Sequence, residues 1–179
     1  MDFFLVVKLA LLVVALIALF LGYVFLGGLL RGAGYQPTPR SAMEKMFELS
    51  EPDGKKVFDL GSGFGRIVIE VTQRFHADCT GVEVDPMKVW WSRRAIRKLG
   101  IQDRANIVRG NLMSADISSA DIVYVFLWKG IMQRFREKAL KEMKPGSLVV
   151  SYYYRFEGWQ PEREDSRLKV YMYRIAARR

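Results

Sequence analysis

Twenty-two consecutive residues without a charge, Leu9 to Leu30 ("LALLVVALIALFLGYVFLGGLL"), restrict this chain more than any other feature. As a helix rising 1.5 Å per residue they span about 33 Å, enough to cross a hydrocarbon core of about 30 Å. A cleaved signal peptide has a shorter apolar region, about 7–15 residues, and a small-residue cleavage site that is poorly matched here. A buried core helix of this kind needs a much larger protein around it. The run therefore reads as one transmembrane helix, with residues 1–31 as the anchor. Only Asp2 and Lys8 precede it, whereas Arg31 and Arg40 follow it directly. That asymmetry sends the short amino-terminal tail across and leaves the rest of a single-pass membrane protein in the cytoplasm.

Residues 32–40, within "RGAGYQPTPR", are rich in Gly and Pro and read as a linker; residues 41–179 are one domain of ordinary size. Of the net charge of +9, residues 1–40 hold +2, so the domain carries +7. A basic domain beside an anionic leaflet gains about 1 kcal/mol per well-placed Lys or Arg. The same charge would serve nucleic acid, so charge alone does not choose a partner. The single cysteine, Cys79, excludes an internal disulfide and a cysteine zinc cage. It falls in an apolar stretch and reads as an inert buried thiol. The single histidine, His76, ends a helical run, and without histidine clusters a hydrolytic triad or His-based metal site is not expected. No metal is expected.

Past the linker, Thr38 before Pro39 predicts a helix start, a cap followed by proline at the first position, with the helix running from Arg40 to Ser50. Strands are then expected at Val57–Leu60, Thr80–Val84, Ala105–Val108, Asp121–Leu127 and Leu148–Tyr154, and a last one in "LKVYMYRI". Helices are expected at Ile67–Phe75, Met87–Leu99 and Ile131–Met143. Such alternation means an α/β fold, a doubly wound and mostly parallel sheet with helices on both faces. The sheet is expected to end in one antiparallel edge strand or a small hairpin.

The first strand turns into the first domain helix through "DLGSGFGR". Gly61, Gly63 and Gly65 remove side chains where a doubly wound sheet binds its ligand, at the carboxyl ends of the strands. A dinucleotide fingerprint needs a third glycine where Arg66 stands, and no Gly-Lys-Ser/Thr follows for a phosphate loop. Glu83 ends the second strand 22 residues after Gly61. A carboxylate there accepts from the two hydroxyls of a ribose. After the third strand, "RGNL" places Asn111 and Leu112 to meet an adenine edge and face. Together these describe an adenosyl pocket without phosphate chemistry.

The combination resembles the class I S-adenosylmethionine-dependent methyltransferases, with their Rossmann-like sheet. "DLGSGFG" is similar to their first motif, and Glu83 stands at their ribose-binding acid. The resemblance implies S-adenosyl-L-methionine as cofactor, Asp59 near its amino group and the loop amides around its methionine part. Thr38, Ser62 and Val84 complete the cofactor contacts it implies. "YQPTPRSAMEKMFEL", "GSGFGRIVIE", "GVEVDP", "ADIVYVFLW", "KPGSLVVS" and "GWQP" are similar, in order and spacing, to one lysine methyltransferase family. That family includes enzymes acting on the c-ring protein of ATP synthase and small archaeal protein lysine methyltransferases. It usually has an acid at the position of Phe64, and often one at that of Asn111. Asn111 still has a side-chain oxygen to accept with; Phe64 can only pack.

Methyl transfer to a lysine requires a neutral amine held within about 3–3.5 Å of the methyl group. Removing the proton costs roughly 4–5 kcal/mol at pH 7. A dry aromatic channel lowers that cost and attracts methylated ammonium. Tyr124, Trp128, Tyr152 and Trp159 are the channel candidates, with Phe126, Tyr153 and Tyr154 near them; no general base is assigned. The expected function is transfer of a methyl group to a lysine of a membrane or membrane-proximal protein. The alternative is a lipid or isoprenoid acceptor. Strand four lacks the Asn/Asp-Pro-Pro-Tyr of nucleobase amino methyltransferases, so nucleic acid is not the expected partner.

Overall fold

In a computed structural model the described residues are 3–31 and 36–177, with side chains described to Gly22 and again from Gln36. The chain divides into two compact units, Met1–Gln36 and Pro37–Arg179, a division that falls inside the expected linker. The first is helix α1, Phe3–Arg31. Its segment Phe3–Gly22 is long and apolar enough to cross a membrane, and its side chains are exposed. The side chains of the rest of the expected span, Tyr23–Leu30, lie outside the described residues.

The second unit holds α2 (Arg40–Ser50), β1 (Lys56–Leu60), α3 (Arg66–Phe75), β2 (Asp78–Glu83), α4 (Pro86–Leu99) and β3 (Ala105–Arg109). It continues with β4 (Ile122–Val125), α5 (Lys129–Glu142), β5 (Leu148–Tyr152), β6 (Arg163–Asp165) and β7 (Val170–Arg174). The seven strands form one sheet in the order β3-β2-β1-β4-β5-β7-β6. The first five are parallel, whereas β7 runs antiparallel to both β5 and β6. The terminal hairpin is thus present, but its later strand is the inner one and β6 forms the edge.

Strand order reverses between β1 and β4, which opens a crevice at their carboxyl ends. Leu60 pairs with both Val82 and Val125, and Val125 pairs with Ser151, so four strands end at one level. Everything that follows those strands shares one edge of the sheet.

Burial on both faces explains why β4 reads as an unbroken apolar run. Ile122 and Tyr124 join the cluster under α2, α3 and α4, with Met43, Phe47, Val68 and Val89. Val123 and Val125 join the opposite cluster, with Met132, Phe135 and Ala139 of α5. Each such aliphatic side chain contributes roughly 1.5–3 kcal/mol by leaving water. Cys79 is buried in the first cluster, which raises its thiol pKa and keeps it unreactive.

Two helix starts contrast. Asp85 caps α4, its side chain accepting from the Met87 N–H, with Pro86 in the first turn. Thr38 does not cap α2: Pro39 occupies the cap position, and no side chain supplies a hydrogen bond there. The expected cap fails because Pro39, not Thr38, is the last extended residue before the helix. Strand β4 is also shorter than expected, since Leu60 turns away into the loop and leaves nothing to pair beyond Val125.

Candidate active site

The stretch after β1 folds back on the ends of β1 and β2. Gly61, Gly63 and Gly65 all have positive φ, at 87°, 56° and 74°, which side chains rarely tolerate. The Gly61 and Ser62 N–H groups both donate to Val82 O, at 2.8 and 3.1 Å. Gly65 N–H donates to Ser62 O at 2.8 Å, and Gly63 N–H to Glu83 Oε2 at 2.9 Å. Four loop amides are therefore engaged within the chain. Each of the four thus already has an acceptor within the chain. What the loop presents is bare backbone and closeness of approach.

Glu83 is buried and holds two amides at once, Gly63 N–H on Oε2 and Asp85 N–H on Oε1, the latter at 2.8 Å. Each oxygen keeps a second lone pair, so the carboxylate can still accept from two hydroxyls. Val84, next in sequence, lies just past the strand end and is half exposed.

Asp59 is the other acid and is 5% exposed. Burial, and then the neighbouring Glu83 charge, push its carboxyl up to about 7. Among the described residues no group donates a hydrogen bond to its side chain. A buried carboxyl in this state takes up a cationic partner readily, because a positive charge relieves both causes of the shift. Ser62 Oγ is likewise buried with no hydrogen-bond partner among the described residues.

Three supporting residues were given no role from the sequence. A Cβ on Gly81 would lie 2.6 Å from Ile107 Cδ1 and 2.7 Å from Ser62 Oγ, so only glycine lets the loop sit on β2. The Ser92 hydroxyl of α4 lies 3.1 Å from Gly63 O and 2.7 Å from Lys88 O, pinning the loop to that helix. Arg66 Nη2 donates to Thr38 O, which fastens the segment before α2 to the start of α3. Thr38 is buried beside the glycine loop through this backbone contact. A Gly within a strand hints at close packing; Ser92 and Arg66 had no such marker.

Asn111 and Leu112 follow β3. Asn111 Oδ1 accepts from Met113 N–H at 2.9 Å, which shapes the turn and leaves the side-chain amide N–H groups and one lone pair. Leu112 is half-buried against the α5-side cluster.

The aromatic candidates divide. Phe126 meets Tyr152 edge to face, centroids 4.7 Å apart, and Tyr153 lies 6.4 Å from Phe126. The ammonium of Lys169 sits 4.0 Å from the centre of the Tyr153 ring. These rings gather at the ends of β4 and β5. Trp128 precedes α5 and is half exposed. Trp159 stacks on Phe156 and Tyr173 and belongs to the α5-side packing. Tyr124 is fully buried, hydrogen-bonded to Ser50 Oγ at 2.7 Å and packed on Phe47. The channel expectation for Tyr124 is corrected to a core position, since its ring and hydroxyl both point into the α2 packing. No group of acids, histidines or cysteines suited to a metal occurs among the described residues.

The family model for the ANTKMT methyltransferase domain matches residues 59–163. A protein-lysine N-methyltransferase of Saccharolobus islandicus is 36% identical over 149 residues, 79% of this chain and 92% of its own length. The mouse adenine nucleotide translocase lysine N-methyltransferase is 29% identical over 66% of this chain. This chain covers 52% of that protein, so it spans about half the length of such relatives. An RNA methyltransferase from Salinibacter ruber, solved with S-adenosyl-L-homocysteine, superimposes with a TM-score of 0.76 at 33% identity, covering 80% of this chain and 96% of that one. The chain belongs to the ANTKMT methyltransferase domain family and is an S-adenosylmethionine-dependent methyltransferase.

Proposed function

We propose that this chain methylates a lysine side chain of a membrane or membrane-proximal protein from a membrane-anchored position. The observation that carries the lysine reading is the 36% identity, over most of both chains, to a protein-lysine N-methyltransferase. Residues 1–31 serve as the anchor, 32–40 as the linker and 41–179 as the cytoplasmic catalytic domain. The apolar length of α1 supports the anchor, and a tether raises the local concentration of targets in the same membrane.

S-adenosylmethionine supplies a methyl group on a sulfonium. The unpartnered carboxyl of Asp59 suits the cofactor's ammonium, and the spare lone pairs of Glu83 suit its ribose hydroxyls. Gly61, Gly63 and Gly65 admit the chain of the methionine part, with the Ser62 hydroxyl as an added polar contact. Val84, Asn111 and Leu112 would hold the adenine, and Thr38 would close the site from the side of Arg66. On the acceptor side Phe126, Tyr152 and Tyr153 exclude water around an incoming amine, with Trp128 at the rim. Desolvation there would favour the neutral amine, whose lone pair would take the methyl group that bound S-adenosylmethionine supplies. The proton is lost to solvent.

A second reading, RNA as acceptor, is favoured by the name of the Salinibacter protein. One experiment separates them. The full chain in lipid nanodiscs is incubated with methyl-labelled S-adenosylmethionine and, in parallel, with membranes, extracted lipid or RNA from its source cell. Label found by mass spectrometry on lysine of a membrane protein is the expected result. Label confined to RNA or to lipid overturns the lysine reading.

A further inference from the structure

Helix α4 turns Val89, Ser92 and Ile96 into the domain and presents the opposite face to solvent. That outer face holds Met87, Trp90 and Trp91, the two indoles 53% and 51% exposed. A single exposed tryptophan needs no explanation, but two that touch each other, with an exposed methionine one turn earlier on the same face, form an apolar knob. The rings meet edge to face, centroids 5.1 Å apart. Around them the helix carries Lys88, Arg93, Arg94, Arg97 and Lys98, and no acidic residue. The Arg94 guanidinium lies 6.0 Å from the Trp90 ring. Arg93 is spent on the fold, its Nε donating to Ile107 O at 2.9 Å.

We propose that the outer face of α4 is an interfacial membrane-binding surface for anionic lipid, a reading that rests on membrane association of the domain. Indoles settle at the level of lipid headgroups, where the ring is apolar and the N–H stays wet. A helix with bulky apolar side chains among Lys and Arg lies in that interface, its apolar atoms about 5–10 Å deep. The basic residues Arg94, Arg97 and Lys98 are complementary to phosphatidylglycerol or phosphatidylserine. Single-stranded nucleic acid needs ring faces free for successive bases. Here one indole edge covers the face of the other, and Met87 offers a base nothing but alkyl surface. Helix α4 begins at Pro86, three residues after Glu83, so seating its outer face on a bilayer brings the strand-end crevice to the lipid surface. An acceptor lysine close to the membrane is then within reach without any large substrate domain.

All four tryptophans lie between Trp90 and Trp159, so tryptophan emission reports on the domain and never on α1. The full chain is mixed with vesicles of neutral lipid, or of neutral lipid with about one-third anionic lipid. Each preparation is made with and without brominated acyl chains, and co-flotation is recorded together with emission. The expected result is quenching of roughly half the emission in anionic vesicles, two of the four indoles being in reach. Quenching is lost in W90A/W91A and falls severalfold in R94E/R97E/K98E, and added salt weakens it. A chain that floats with both vesicle types but shows no quenching overturns the α4 surface and keeps the anchor. Quenching and flotation with anionic vesicles alone, reversed by salt, support the surface and sink the anchor. Flotation with neither overturns both. Emission altered by an RNA oligonucleotide and not by lipid overturns the surface in favour of nucleic acid.

Discussion

At the ends of β1 and β2 the chain commits two buried carboxyls and four amide N–H groups to a turn with almost no side chains. At the ends of β4 and β5, the same distance along the sheet, it gathers the rings of Phe126, Tyr152 and Tyr153, with the Lys169 ammonium against the last of them. The first side is held by the internal acceptors of the Gly61, Ser62, Gly63 and Gly65 amides. The second is held by ring packing, worth about 0.5–1.5 kcal/mol per aromatic pair beyond the area buried, together with the Tyr153 N–H, which donates to Lys169 O at 2.7 Å. Under the proposed function the difference separates the tasks: one side would recognise a polar cofactor, the other would dehydrate an amine. Substitutions on each side therefore have distinct signatures.

The largest effect is expected from Glu83→Ala. It strips the acceptor from Gly63 N–H and Asp85 N–H, each worth about 1–3 kcal/mol when buried without a partner. S-adenosylhomocysteine affinity should fall about 100-fold or more, together with the melting temperature, by calorimetry and thermal unfolding. Gly81→Ala comes next. Its methyl group must displace Ile107 and Ser62, at a cost of about 1–3 kcal/mol, and calorimetry should show roughly tenfold weaker cofactor binding.

The third prediction concerns pH. In the fold the Asp59 carboxyl titrates near 7, while in the unfolded chain it titrates near 4. Between those values the fold holds a proton that the unfolded chain has released. The contribution of Asp59 to stability is therefore greatest below about pH 4 and is lost as pH rises through about 7. A bound ammonium reverses the preference by favouring the carboxylate. S-adenosylhomocysteine affinity should thus rise from pH 5.5 to 7, by at most about tenfold per unit, and level off above. Asp59→Asn should flatten both profiles; a slope that survives the substitution assigns the titration elsewhere. The smallest effect is expected from Arg66→Ala, which frees Thr38 O from the start of α3. A loss of about threefold to tenfold in cofactor affinity, with an unchanged fold by circular dichroism, fits one charge-assisted hydrogen bond.

The cofactor side was far more legible in the sequence than the acceptor side. Glycines at 61, 63 and 65 and an acid at 83 are local signals, because a turn with positive φ and a strand-end carboxylate are read from neighbours in the chain. Tyr124 was not legible, since its hydroxyl partner Ser50 lies 74 residues away and only the sheet brings them together. "YVFLW" reads as continuous strand, yet Phe126, Leu127 and Trp128 leave the ladder because β1 has already turned. Gly81 and Ser92 escaped for the same reason: their importance is a contact with the loop, not a pattern. Thr38 misled through propensity, a good cap residue placed one position too early.

The most direct test sets Glu83→Ala and Tyr152→Ala side by side. Affinity for S-adenosylhomocysteine and methyl label on lysine in source membranes are measured for each. Tyr152→Ala should bind S-adenosylhomocysteine within about twofold of the native chain while losing about tenfold or more of its lysine label, since its ring pairs with Phe126 and not with the loop. Glu83→Ala should lose both. Tyr152→Ala weakening cofactor binding as severely as Glu83→Ala, or label surviving on RNA in place of lysine, would contradict the division of the site described above.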